Sequence, residues 1–257
     1  MLAQTLPSSA GWRWILGGFA IYRRNPLMLS MLLMAYWFSM ILLNVLPVVG
    51  LLAASLAMPG LSVGLMQAAR NVDRGAQIGL PTLFESFRDN PRTLIAQGAL
   101  YLCCTLGALG ISALIDGGDL VRYLTADNTA ERVAVEDADL RWSAMLVTAM
   151  LLPVMMAYWF GPVLAAWHRM PLAKSLFFSF IACWMNWRPF LTYGIGLFLL
   201  AGVLPGLLLL IPVLIFPGSA EALVAIVTVP MFLIVAPIVF ASFYASYRDI
   251  FGISEIA

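Results

Sequence analysis

Residues 23–44 read RRNPLMLSMLLMAYWFSMILLN. Two arginines, an asparagine and a proline are followed by 18 residues without a charge. A hydrocarbon core about 30 Å thick takes roughly 20 helical residues. This stretch therefore reads as a membrane-spanning helix with arginines at one end. Asparagine caps a helix well, and proline presets the first helical φ. The residue before a proline resists helix, so whatever precedes must end there. The phrase returns, altered, as DNPR at 89–92 and NWRP at 186–189, each time ahead of a long apolar run. In the first two copies Asn25-Pro26 and Asn90-Pro91 fit as cap and first residue. In the third, Asn186 stands one position too early to cap before Pro189.

Outward from that stretch, the whole chain has the composition of a protein dissolved in lipid. Its 257 residues are 62% apolar and 11% charged, with a mean hydropathy of +0.94. Soluble domains run to about 45–50% apolar and about 25% charged. Six stretches are long enough to span, at about 27–45, 47–69, 93–115, 142–167, 190–214 and 222–246. The predicted fold is all-α, a polytopic bundle of six transmembrane helices in one membrane domain over 1–257. Nothing basic precedes Arg13, so the expectation is an uncleaved protein inserted through its own helices.

Charge sets the expected orientation. If the spans alternate, one side carries 11 of the 14 basic side chains and 5 acidic ones. The other side carries 3 basic and 8 acidic ones, mostly in a loop at about 116–141. The positive-inside rule then puts both termini in the cytoplasm of a bacterial inner membrane and that loop in the periplasm. The loop reads as a solvated segment, with Val121, Tyr123, Leu124, Val133 and Val135 placed to form short surface helices. Docking of a periplasmic partner is the lesser reading.

The prolines also mark an internal repeat, with units at about 6–70, 80–169 and 170–248. Each opens with an apolar residue and a proline: Leu6-Pro7, Leu80-Pro81 and Met170-Pro171. Each continues through a segment rich in aromatic and basic residues, read as a helix lying along the cytoplasmic interface. The middle copy is shorter by two helical turns. Each unit's second span holds a proline ahead of a closing arginine: Pro59 and Arg70, Pro162 and Arg169, Pro237 and Arg248. Proline removes a backbone hydrogen bond and kinks a helix, and small residues beside it allow close helix approach.

Catalytic chemistry is sparse. The chain has one histidine, His168, and the cysteines Cys103, Cys104 and Cys183 all sit in apolar runs. No phosphate-binding loop, zinc motif or nucleophile elbow is present. No cofactor or metal site is expected. The large polar groups within the spans are few, and Gln97 with Thr192 forms the candidate intramembrane polar site. Amides there more often join helices than bind solute. Pro205, Pro212, Pro230 and Pro237 are candidate breaks in spans five and six, where unwound backbone could meet a substrate. On the basic side, Arg13, Arg23, Arg24, Arg88, Arg92, Lys174 and Arg188 are candidate contacts for lipid headgroups. Nucleic acid is not an expected partner, because the basic residues are dispersed.

Trp12 and Trp14, Arg24–Pro26, the run His168–Ala182 (HRMPLAKSLFFSFIA) and Trp187–Pro189 together resemble a family of proteobacterial six-span inner-membrane proteins of the domain-of-unknown-function type. The likeness covers most of the chain. It extends distantly to the membrane domain fused to some glycerophosphodiester phosphodiesterases, whose catalytic domain this chain lacks. It implies the fold and no catalytic residue. The favoured expectation is a non-enzymatic scaffold, assembly or envelope-regulatory protein acting on membrane lipids and other membrane proteins. A transporter for a lipid or small neutral solute is the alternative, and an enzyme built on His168 is the remote third.

Overall fold

Asn25 starts the first span as its sequence predicts. Its side chain accepts the Met28 N–H at 3.4 Å, and Pro26 is the first residue of the helix. The computed structural model describes residues 3–46, 49–126, 138–215 and 220–252. Every regular element among them is helical. In chain order these are α1 (Ala10–Arg24), α2 (Pro26–Asn44), α3 (Val49–Asp73), a 3₁₀ turn (Leu80–Phe84), α4 (Ser86–Asp89), α5 (Pro91–Asp116) and α6 (Asp119–Thr125). Then come α7 (Ala138–Trp167), α8 (Leu172–Met185), α9 (Trp187–Phe198), a π-helical turn (Leu199–Val203), α10 (Leu204–Ile215) and α11 (Ala220–Phe251). Six stretches are long and apolar enough to cross a membrane: α2, α3, α5, α7, the α9–α10 unit and α11.

Two expected corners differ in detail. Pro91 does open α5, but the Asn90 side chain does not cap it. Asn90 Nδ2 donates instead to the carbonyls of Ala165 and Met170, at 3.1 and 3.4 Å. At the third corner the helix begins at Trp187, ahead of Pro189 rather than after it. The first four N–H groups of a helix have no intrahelical partner, so a proline in that turn removes nothing the helix needs.

The expected breaks are milder than the prolines suggest. α3 runs unbroken through Pro59, α7 through Pro153 and Pro162, and α11 through Pro230 and Pro237. In span five the chain widens by a single π turn, where Leu204 N–H bonds Leu199 carbonyl. Pro205 follows at once. Its ring would crowd the carbonyl four residues earlier, and the wider turn relieves that crowding.

α3 is the central column. Half of its most apolar stretch is buried (50%), against 11% for α7 and for the α9–α10 unit. Lipid tails are as apolar as leucine, so packing fit and hydrogen bonds hold such helices together. α1 shows this well. Gly11 sits against the Pro189 backbone of α9, and Gly18 against the Ile238 and Ser242 backbone of α11, with no room for a Cβ at either. Trp14, buried between them, meets Phe190 at 5.2 Å and Tyr193 at 5.7 Å. Trp12, Leu16 and Phe19 face outward. α1 is thus an apolar wedge against the bundle on one face and exposed on the other.

α6 covers part of the expected outer loop and includes Val121, Tyr123 and Leu124. Val133 and Val135 lie outside the described residues.

Candidate functional site

The basic span ends converge. α1 ends in Arg24, α3 in Asp73, and α11 carries Arg248 in its last turn. Arg24 Nη1 donates to the Asp73 backbone carbonyl at 2.7 Å and to its carboxylate at 3.2 Å, while Arg248 Nη1 donates to the other carboxylate oxygen. One carboxylate, with 9% of its side chain exposed, therefore gathers two arginines from opposite ends of the chain, Arg24 and Arg248. The first and last described segments meet here too. Gln4 N–H donates to the Ile250 carbonyl at 2.8 Å, and Trp14 Nε1–H to Asp249 at 3.1 Å.

Asn186, fully buried, is the second fastening. It accepts the Leu6 N–H at 2.9 Å, and its Nδ2 donates to the carbonyls of Gln4 and Ala182, both at 2.9 Å. A buried amide so used binds the segment before α1 to the corner between α8 and α9.

Against this frame the proposed headgroup contacts divide. Arg24 is committed to Asp73. Arg13, Arg23, Arg88, Arg92, Lys174 and Arg188 are exposed. Three of these lie over aromatic rings on the same surface: Arg23 over Phe19, Lys174 over Phe178 and Arg188 over Trp187. At exposed sites each such contact contributes about 0.5–1 kcal/mol.

The two halves of the candidate intramembrane polar site are apart. Gln97 is fully buried, and its Nε2 donates to Ser175 Oγ at 3.0 Å, joining α5 to α8. Its Oε1 is buried without a partner. Thr192 lies one turn into α9, where its hydroxyl donates to the Ser8 and Pro189 carbonyls. It fastens the segment before α1. His168 Nε2 shares a 2.7 Å hydrogen bond with Tyr247 Oη. Burial, then the Arg70 charge, holds the imidazole below its ordinary pKa, so it is neutral near pH 7.

Two cavities matter. One, of about 250 Å³, lies within the bundle between α2, α3, α5, α7 and α11. Its wall is apolar and aromatic, with Tyr36, Tyr101, Tyr158, Trp159 and Phe243 among its residues. The Nε1–H of Trp159 is buried without an acceptor. The other, of about 360 Å³, is polar and opens at the basic span ends. It is lined by Gln67 and Arg70 of α3, Glu85 just before α4, Ser86 and Asp89 of α4, Trp167 at the end of α7 and Arg169 after it. Arg70 lies over the Trp167 ring at 4.6 Å, and its Nε is buried without a partner. Leaving such a donor unpaired costs about 1–3 kcal/mol. Arg169 pairs with Asp89 at 3.8 Å and adopts a left-handed backbone (φ 49°), the one such non-glycine residue among those described.

Arg70, Glu85 and Arg169 were not singled out from sequence as ligand contacts. A signal was present in Glu85, one of only five acids on the strongly basic side.

Fold and span ends together define a six-span α-helical membrane protein. A probable inner membrane protein of Burkholderia thailandensis is 37% identical over 257 residues, covering 96% of this chain and 93% of that protein. This chain belongs to the family of that protein. No protein-family model and no solved structure matches it.

Proposed function

We propose that this is a non-enzymatic inner-membrane protein that works through helix and lipid contacts, as a scaffold, assembly factor or envelope regulator. One observation carries the reading: the polar side chains inside the bundle fasten one segment to another. Gln97 holds Ser175, Asn186 holds Leu6 and Gln4, Asn90 holds Ala165 and Met170, and His168 holds Tyr247. A catalytic or solute-binding centre needs such groups directed at a shared space.

In this reading both termini face the cytoplasm, because the converging span ends are the basic ones. α1 and α8 lie along that interface, with the shorter 3₁₀–α4 segment as the middle member of a threefold series. The exposed Arg13, Arg23, Arg88, Arg92, Lys174 and Arg188 contact headgroups, and other membrane proteins or a periplasmic partner dock on the remaining faces. The distant likeness to the phosphodiesterase-linked membrane domain fits a membrane module without catalysis. The test is reconstitution of the purified protein in proteoliposomes loaded with labelled lipids or neutral solutes. Flux equal to that of protein-free vesicles is expected. Flux that rises in proportion to protein sinks this reading.

A second reading, transport of a lipid or small neutral solute, is favoured by the aromatic cavity with its unpartnered Trp159 N–H. Under it, Trp159→Phe lowers flux in the same vesicles.

A further inference from the structure

We propose that the polar cleft between the ends of α3 and α7 binds the zwitterionic headgroup of an amine-bearing phospholipid, with the phosphate on Arg70 and the ammonium on Glu85. The inference rests on the lipid-contact reading of the basic end and names the lipid class that one site there selects.

The argument starts from the charges in the cleft. Arg169 and Asp89 form an exposed ion pair at 3.8 Å. Arg70 and Glu85, which line the same space of about 360 Å³, have no ion-pair partner among the described residues. One open cation and one open anion in a single cleft match a ligand that carries both charges. Guanidinium suits phosphate because its donors form a planar fork. The Arg70 guanidinium lies over the Trp167 ring at 4.6 Å, which holds it at the cleft wall, and its buried Nε–H has no acceptor.

The carboxylates then select among phospholipids. A purely anionic headgroup on Arg70 would share the cleft with the unpaired Glu85 carboxylate, and like charges in one cleft repel. A choline headgroup has no N–H to donate to Glu85. Quaternary ammonium is held instead by open aromatic faces. Trp167 is already covered by Arg70 and has Tyr244 and Tyr247 packed edge-on at 6.3 and 5.1 Å. A primary ammonium meets neither objection. The cleft lies at the span ends, where headgroups sit, so the source is the bilayer rather than a free solute.

The test uses the full-length protein in mixed micelles containing phosphatidylethanolamine, phosphatidylcholine and phosphatidylglycerol with identical acyl chains. Native mass spectrometry reads which lipid remains bound. The ethanolamine lipid is expected to be retained about tenfold over either competitor, the scale of one hydrogen bond to a charged group. Glu85→Gln should bring the ethanolamine-to-glycerol ratio to about one, and Glu85→Asp should restore much of the preference. Arg70→Gln should lower retention of all three. Equal retention of the three lipids by the unaltered protein overturns the proposal, as does a wild-type preference in Glu85→Gln. Glycerophosphoethanolamine at equal concentration should not displace the lipid. Displacement at that level would assign the cleft to a soluble zwitterion and overturn the lipid assignment. Proteoliposome flux is independent of these readouts, so failure of the functional reading and failure of this one are distinguishable.

Discussion

The two ends of the bundle are built differently. At the basic end, side chains from distant parts of the chain bond to one another: Asp73 to Arg24 and Arg248, Asn186 to Leu6, Trp14 to Asp249. At the opposite end the described hydrogen bonds are mostly local, with Ser143 of α7 the one distant side chain that reaches Asp116. Ser112 Oγ and the N–H groups of Gly118 and Leu120 all bond Asp116, within four residues of it, and only a small apolar cluster of Ala108, Leu120 and Val147 is buried. The basic end is thus where tertiary order is set. The far end is ordered mainly by its own helix termini.

Substitutions at the two ends should therefore differ in cost. The largest effect is expected for Gly18→Val, which drives a side chain into the Ile238 and Ser242 backbone. It should cost about 3 kcal/mol, the upper range for overpacking. Unfolding in sodium dodecyl sulfate measures it, with Gly194→Val, where space is open, as the control. Similar loss in both would remove the claim that α1 is tightly seated.

Asn186→Ala comes next, at about 2 kcal/mol, because it leaves the part-buried Leu6 N–H and Gln4 carbonyl without their partner. Protease access to residues 3–9 should rise with it. Unchanged access would mean that the asparagine does not hold the N-terminal segment. Asp73→Asn should cost about 1 kcal/mol. The arginines are 55% and 35% exposed, so solvent screens the pair, and high salt should shrink the difference. Ser112→Ala at the far end should cost about 0.5 kcal/mol, since Asp116 keeps its backbone donors. A far-end loss as large as that of Asn186→Ala would erase the contrast between the ends.

The smallest effect is on pH. The folded-state pKa of His168 is depressed, so the unfolded chain takes up a proton first as pH falls below about 6.5. Its contribution is intact above that value and is lost as pH falls towards the folded pKa. Melting temperature should drop between pH 7 and pH 5, and His168→Gln should flatten part of that slope. Parallel curves would show that burial and the Arg70 charge do not depress the His168 titration.

Much of the architecture is legible in the chain. The spans follow from runs longer than the hydrocarbon core and free of charge, and Asn25-Pro26 caps as its chemistry dictates. What escaped is consistent in kind. Asn90 reads as a cap and Asn186 as one position too early for one, yet the amides of both bond backbone groups from distant parts of the chain. Thr192 reads as intramembrane, yet it secures the Ser8 carbonyl. Gln97 reads as helix glue, and the partner its amide bonds, Ser175, is 78 positions away. The Arg70 cleft escaped because its charges come from α3, the α4 region and the end of α7, and no local spacing links them.

The sequence by itself determined how many times this chain crosses the membrane and where its charges gather. Those depend on transfer of each segment from water to lipid, which is a sum over neighbouring residues. Only the tertiary structure decided which charge meets which, that Asp73 is spent on two arginines while Arg70 and Glu85 stay open. Inside lipid, partner choice comes from packing fit and hydrogen-bond geometry between helices, and neither is written in the order of residues along one of them.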